Sequence, residues 1–324
     1  MLPLLAIAAG IALTWVLDIR RTRAAEAAYP PVGQFVDVAG GRVHYVQTGQ
    51  GPDLVLLHGA GGNLRDYTFD LVPLLAERYR VTVFDRPGMG YTDRAPGVPT
   101  GALATDAESP AQQAAMLRAA AEELGITGPV VAGHSFGGIV AMAWALEGLE
   151  QDSPANASAI VSFAGVLMPW PGTLGAYYTV NGSAFGGAVV TPLISAFVPK
   201  SVIDETIDAT FQPQSAPAGY IDHFGGPLSV RLDSFRANVR QVNTLRPHVV
   251  EMVKRYPELT LPIEILHGTA DDTVPITVHP MELVKIVPSA TLTPLEGIGH
   301  MIHHVDPAAA IATIDRAATR AGLR

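Results

Sequence analysis

The 324-residue sequence predicts an α/β protein with a mostly parallel, eight-stranded sheet flanked by helices and interrupted by a helical insertion. Three observations carry this. Short apolar or β-branched runs alternate with helical patterns over most of the chain. Strands that are apolar throughout need cover on both faces, which is the condition of a parallel sheet. The alternation stops over residues 168–258, where Gly and Pro are frequent and no strand pair is recognisable. A composition 48% hydrophobic and 16% charged excludes disorder, and the length suits one catalytic domain carrying an insertion.

Taken in order, residues 2–17 form an uncharged apolar stretch followed at once by Asp18, Arg20, Arg21 and Arg23. It is a candidate membrane segment, slightly short for a hydrocarbon core of about 30 Å. The arginines on its C-terminal flank place the rest of the chain on the cytoplasmic side by the positive-inside tendency. A secretory signal, leaving the protein periplasmic or secreted, competes, with Ala25-Glu26-Ala27 as a weak cleavage site and only the α-amino group as its basic region. Residues 1–31 therefore read as membrane segment plus an Ala-rich linker ending in Pro30-Pro31. Strands follow at 35–38, 42–48, 53–57, 80–84, 129–133, 159–166, 262–267 and 291–296. Helices fall near 110–124, 136–149, 277–286 and 307–321, and Ser109-Pro110 starts the first as an N-cap followed by proline. The core divides into 32–167 and 259–324 around the cap at 168–258.

The chemistry-bearing segment is Val130-Val131-Ala132-Gly133-His134-Ser135-Phe136-Gly137-Gly138, an apolar strand entering a helix through Gly-x-Ser-x-Gly. A tight strand-to-helix turn lifts the Ser135 hydroxyl out of the sheet, needs glycine where a Cβ would clash, and aims the positive end of the following helix at it. A serine hydroxyl needs a base. His300, after Gly297-Ile298-Gly299 beyond the last strand, is the candidate; His303 and His304 are placed at the start of the last helix or facing solvent. The orienting carboxylate is Asp271, in the polar turn Gly268-Thr269-Ala270-Asp271-Asp272-Thr273-Val274-Pro275; Asp272 points outward or caps the next helix. His134 is structural. The small residues of His58-Gly59-Ala60-Gly61-Gly62 suit an oxyanion loop, so the Ala60 and Phe136 amides are the candidate donors and His58 braces the loop.

These motifs, with Phe84-Asp85-Arg86-Pro87-Gly88-Met89-Gly90, resemble the α/β-hydrolase superfamily in the order Ser, Asp, His over residues 33–322. The resemblance implies an α/β-hydrolase fold and a serine nucleophile. It disfavours haloalkane dehalogenase and epoxide hydrolase chemistry, which uses aspartate at that turn. The Asp85-Arg86-Pro87-Gly88 turn resembles a structural loop of the family and receives no catalytic role.

The expected activity is hydrolysis of carboxylic esters through an acyl-enzyme, with no metal or organic cofactor needed. Perhydrolase, haloperoxidase, amidase and carbon–carbon bond hydrolase chemistry can use the same triad, and a silent, membrane-tethered scaffold is the alternative of another class. Specificity belongs to the cap. Residues 168–199 carry no Asp, Glu, Lys, Arg or His, so Trp170, Tyr177 and Phe185, with Tyr178 and Phe197, either line an apolar acyl pocket, form the cap's own core, or lie against the bilayer that residues 2–17 enter. The expected partners are a small-molecule ester and the membrane. A net charge of −9 without any basic run excludes a nucleic-acid footprint, and the absence of cysteine excludes thiolate nucleophiles, disulfides and iron–sulfur sites.

Overall fold

The computed structural model describes residues 2–324. Its eight strands are β1 (Gln34–Val38), β2 (Gly41–Thr48), β3 (Asp53–Leu57), β4 (Arg80–Phe84), β5 (Val130–His134), β6 (Ala159–Phe163), β7 (Ile263–Gly268) and β8 (Ala290–Leu295). They form one sheet in the order β1-β2-β4-β3-β5-β6-β7-β8. The pairs β1–β2 and β2–β4 are antiparallel, and all the others are parallel. This is the α/β-hydrolase fold the sequence predicts.

Every residue of β3, β5, β6 and β7 is buried, because alternate side chains serve opposite cores. Val55, Val131 and Ile265 face helices α2 (Pro110–Glu123) and α3 (Phe136–Glu147), meeting Leu117, Ile139 and Trp144. Leu54, Val130 and Val161 face the other way onto Ile314 and Ala317, which belong to the C-terminal helix Pro307–Arg320. Helix α2 starts where the Ser-Pro pair predicts, in a capping box: Ser109 Oγ accepts from the Gln112 amide and Gln112 Oε1 from the Ser109 amide.

No strand occurs between Phe163 and Ile263 among the described residues. The insertion is helical and includes α4 (Thr191–Phe197), α5 (Lys200–Ala209) and α6 (Leu232–Asn243), preceded by a π-helical turn over Gly186–Val190. Its Tyr177, Ile194 and Phe235 share a cavity with Gly59, Ser135 and His300, which follow the C-terminal ends of β3, β5 and β8, where ligands bind in open α/β sheets.

Helix α1 runs unbroken from Leu2 to Ala28, so the stretch expected to be a linker is helical instead. Its Ala, Arg and Glu residues are good helix formers, and Pro30-Pro31 ends the run. Polar ties fasten this C-terminal half: Ser195 donates to Asp18 Oδ1 (2.5 Å), Arg21 to the Val198 carbonyl (2.5 Å), and Arg231 pairs with Glu26 (2.8 Å). The other half is bare, with Leu4, Leu5, Ile7, Ile11 and Trp15 all exposed. It is the one single helix among the described residues long and apolar enough to cross a membrane.

Candidate active site

Ser135 sits between β5 and α3 with φ 53° and ψ −116°, a positive-φ conformation sparsely populated by residues with a Cβ. The strain is held from both sides: the Ser135 amide donates to the Phe163 carbonyl (2.9 Å), and its own carbonyl accepts from the amides of Gly138 and Val166. The flanking glycines are obligatory. A Cβ on Gly133 would strike the Gly137 carbonyl, and one on Gly137 the Leu57 carbonyl. Ser135 also stands at the N-terminus of α3, whose free amides and dipole favour negative charge there.

Asp271 follows β7 and His300 follows β8, and the structure brings them together: His300 Nδ1 lies 2.8 Å from Asp271 Oδ2. Asp271 Oδ1 accepts from the amides of Thr273 (2.9 Å) and Val274 (2.8 Å), which fixes the carboxylate plane. Burial alone would raise the Asp271 carboxyl, but hydrogen bonds from His267 and His300 outweigh it and hold it well below the usual carboxylate range. Asp272 next to it is exposed. Ser135 and His300 line one cavity, although among the described residues the Ser135 hydroxyl makes no hydrogen bond. Such contacts are often long in unliganded sites and tighten on substrate binding.

The loop after β3 closes over the same point. A Cβ on Gly59 would come within 3.2 Å of Ser135 Cβ and 3.0 Å of His134 Nδ1, so only glycine lets this backbone approach the serine. Ala60 lines the cavity beside Ser135, and among the described residues its amide donates to no protein acceptor. Phe136 is the first residue of α3, where the amide has no intrahelical acceptor.

The model of the alpha/beta hydrolase family matches residues 54–314, from β3 through the helix that carries the chain's end. The chain belongs to the alpha/beta hydrolase family. The hydrolase is 27% identical to an uncharacterised protein of Mycobacterium tuberculosis over 92% of this chain and 84% of that one. It is 26% identical to the 2-hydroxy-6-oxononadienedioate/2-hydroxy-6-oxononatrienedioate hydrolase of Cupriavidus pinatubonensis over 82% of this chain and 88% of that one. Among solved structures, a membrane phospholipase A described as a bacterial virulence factor superimposes with a TM-score of 0.67 at 18% identity, covering 99% of this chain and 96% of that one. At that identity the likeness is one of fold.

The cavity of the hydrolase is about 360 Å³, within the usual size range of small-molecule sites. Tyr177 and Tyr178 line it together with Ile194, Val198 and Val202 from around α4 and α5. Trp170 and Phe185, expected beside Tyr177 as substrate contacts, do not. Trp170 packs against the core cluster around α3, and Phe185 is 67% exposed at the head of the π-helical turn. Both lie in an uncharged stretch where apolar character alone does not say which way a side chain faces.

A cluster the sequence reading missed begins at the cavity wall, with Asp66, His134 and Tyr220, and continues behind it. His303 and His304, expected at the start of the last helix or in solvent, form their own short helix, Ile302–Val305, and are buried. His304 bridges two carboxylates, with Nε2 2.8 Å from Asp66 Oδ1 and Nδ1 3.2 Å from Asp70 Oδ1, and Tyr220 donates to the same Asp66 oxygen (2.6 Å). His134 joins this cluster to the candidate base: its Nε2 lies 3.1 Å from the His300 carbonyl oxygen. Burial, with His303 and His300 nearby, keeps the His134 imidazole well below its usual range and neutral. Asp66, His134 and His303 place donor atoms within 4.8 Å of one another, the spacing of a possible metal trio. Asp66 Oδ1 already accepts from Tyr220 and His304, while Oδ2 lies 3.4 Å from His303 Nε2.

The cluster makes stability depend on pH. Burial lowers the His304 imidazole, but its bonds to Asp66 and Asp70 outweigh that and push it up to about 9. A raised folded-state pKa stabilises fully below the unfolded value near 6.5 and is lost as pH climbs towards 9. The contribution is about 3 kcal/mol by that displacement. Thermal unfolding of His304→Gln across this window is expected to show a flatter decline than wild type, with the two differing most below pH 6.5. Parallel curves would remove the charged bridge from the account.

Proposed function

We propose that this hydrolase cleaves carboxylic esters of apolar acids through an acyl-enzyme on Ser135, at a membrane to which α1 holds it. Ser135 Oγ bonds to the ester carbonyl carbon as His300 takes its proton, and the Ala60 and Phe136 amides receive the oxyanion. The carbon–oxygen bond to the alcohol then breaks, with His300 returning the proton to the leaving alkoxide. Water, deprotonated by the same imidazole, releases the acid. Asp271 holds the tautomer that presents Nε2 to the serine. The supporting observation is a single cavity that Ser135 and His300 share, with Asp271 bonded behind the imidazole.

An ester suits the walls better than a dicarboxylate. The Cupriavidus pinatubonensis relative is by name a hydrolase of dioates, yet among the described residues no Lys or Arg lines this cavity, and Asp66 is its one carboxylate. A dianion would meet no fixed cation there. The bilayer reading draws on the bare half of α1 and on Leu193 and Phe197, exposed on α4 beside it. Arg20, Arg21 and Arg23 support a cytoplasmic catalytic domain; protease digestion of the domain only from the outer face of vesicles would reverse it. The purified protein is expected to react with a fluorophosphonate probe and to prefer octanoate over acetate p-nitrophenyl esters by kcat/KM, each buried methylene adding about 0.8 kcal/mol. A preference for acetate counts against the apolar acyl site, and an unlabelled protein counts against the nucleophile.

A further inference from the structure

The loop Asp85-Arg86-Pro87-Gly88 has no part in the mechanism as proposed, yet it sends one side chain directly behind the oxyanion loop. Arg86 is fully buried. Its Nε donates to the His58 carbonyl (2.9 Å), one terminal nitrogen to the Gly59 carbonyl (2.9 Å), and the other to Gln113 Oε1 (2.7 Å) and Gln241 Oε1 (3.2 Å). None of these acceptors is a carboxylate. Burial lowers the guanidinium to about 9, opposed by Glu108 and Asp85, so it is a cation at neutral pH. Its central carbon lies 4.4 Å from the centre of the Phe136 ring.

The Gly59 carbonyl and the Ala60 N–H belong to the same planar peptide unit, pointing in opposite directions. Whatever holds that carbonyl therefore sets the direction of the amide that would receive the oxyanion. Three donors converge on it: Arg86, His58 Nδ1 (2.9 Å) and the Gly62 amide (3.3 Å). The His58 tautomer follows, since its Nε2 accepts from the Arg86 amide (3.0 Å), leaving the proton on Nδ1. Burial and the nearby Arg86 charge lower His58 to about 4, so the ring is neutral and its roles are fixed. A charged donor on a carbonyl pulls electron density from the peptide and strengthens its N–H as a donor.

We infer that Arg86 is a positioning residue for catalysis, orienting and polarising the Gly59–Ala60 peptide so that its amide stabilises the oxyanion. A neutral brace could hold the loop, whereas a buried cation also adds a field that matters most when the substrate oxygen becomes negative. The role presupposes that Ser135 forms an acyl-enzyme, which fluorophosphonate labelling of wild type establishes separately.

The test compares Arg86→Met with Arg86→Lys, using kcat, KM and the inhibition constant of an alkylboronic acid, whose tetrahedral serine adduct places an oxygen in the hole. Arg86→Met is expected to lower kcat on the order of 10- to 100-fold with KM little changed, and to weaken boronate binding in parallel. Arg86→Lys should recover part of both losses. A folded, labelled Arg86→Met protein with wild-type kcat and boronate affinity would overturn the inference. If wild type itself is not labelled, the serine mechanism fails first. Should Arg86→Met not fold, Gln113→Leu loosens the guanidinium while keeping it: a joint fall in kcat and boronate affinity supports the role, and no change in either overturns it.

Discussion

Ser135→Ala is expected to lower kcat for ester hydrolysis on the order of 10⁶-fold while leaving the fold intact. The kinetic half follows from the division of labour in the cavity. Without the hydroxyl the His300–Asp271 pair can activate only water, and the residual rate reports what the oxyanion amides and binding achieve alone. The structural half follows from what the hydroxyl does in the resting protein. Among the described residues it forms no hydrogen bond, so its removal orphans no partner. The positive φ is kept by backbone hydrogen bonds to Phe163, Gly138 and Val166, none of which involves the side chain. Alanine has a Cβ as serine does and inherits the same strain, so the melting temperature should stay close to wild type. Fluorophosphonate labelling must vanish in the same sample. Turnover within about tenfold of wild type would place the nucleophile elsewhere and end the serine mechanism.

The serine turn is legible in the sequence because it is local. An apolar strand, glycines two residues to either side of Ser135 and a helix behind are all properties of adjacent residues, and the two glycines answer to a steric demand at the turn. Asp271 and His300 were legible for a related reason: both stand at the C-terminal ends of parallel strands, and chain order ranks them. The buried cluster was not legible. Asp66 and His304 are brought together across 238 residues, and imidazoles and carboxylates read singly favour solvent; only tertiary contact supplies the partners that let them be buried. The C-terminal half of helix α1, expected to be a linker, and two aromatic residues of the cap, Trp170 and Phe185, were illegible for the same reason. Nothing between Asp18 and Ala28 announces that Ser195 and Arg231 wait to tie it down. Trp170, Tyr177 and Phe185 share one apolar character but face the core, the cavity and the exterior.

Asp271→Asn is the second large effect, expected to lower kcat about 10⁴-fold through the tautomer rather than through shape. Asparagine can keep its carbonyl oxygen where Asp271 Oδ1 accepts from Thr273 and Val274, because those two amides still need an acceptor. Its amide nitrogen then takes the Oδ2 position, 2.8 Å from His300 Nδ1, and presents hydrogens to it. His300 must accept there, which moves its proton to Nε2, the atom that should receive the proton of Ser135. The imidazolium formed during acylation also loses its counter-charge. Stability falls too: a carboxyl held below its usual range stabilises above the unfolded value of 3.8, and that contribution fades as pH drops through the folded value. Asp271→Asn should thus melt lower than wild type at neutral pH, with the gap narrowing in acid. Asp272→Asn is the control, because that side chain is exposed. A collapse of kcat in Asp272→Asn with Asp271→Asn near wild type would transfer the orienting role to the neighbour, and with it the account of how His300 becomes a base.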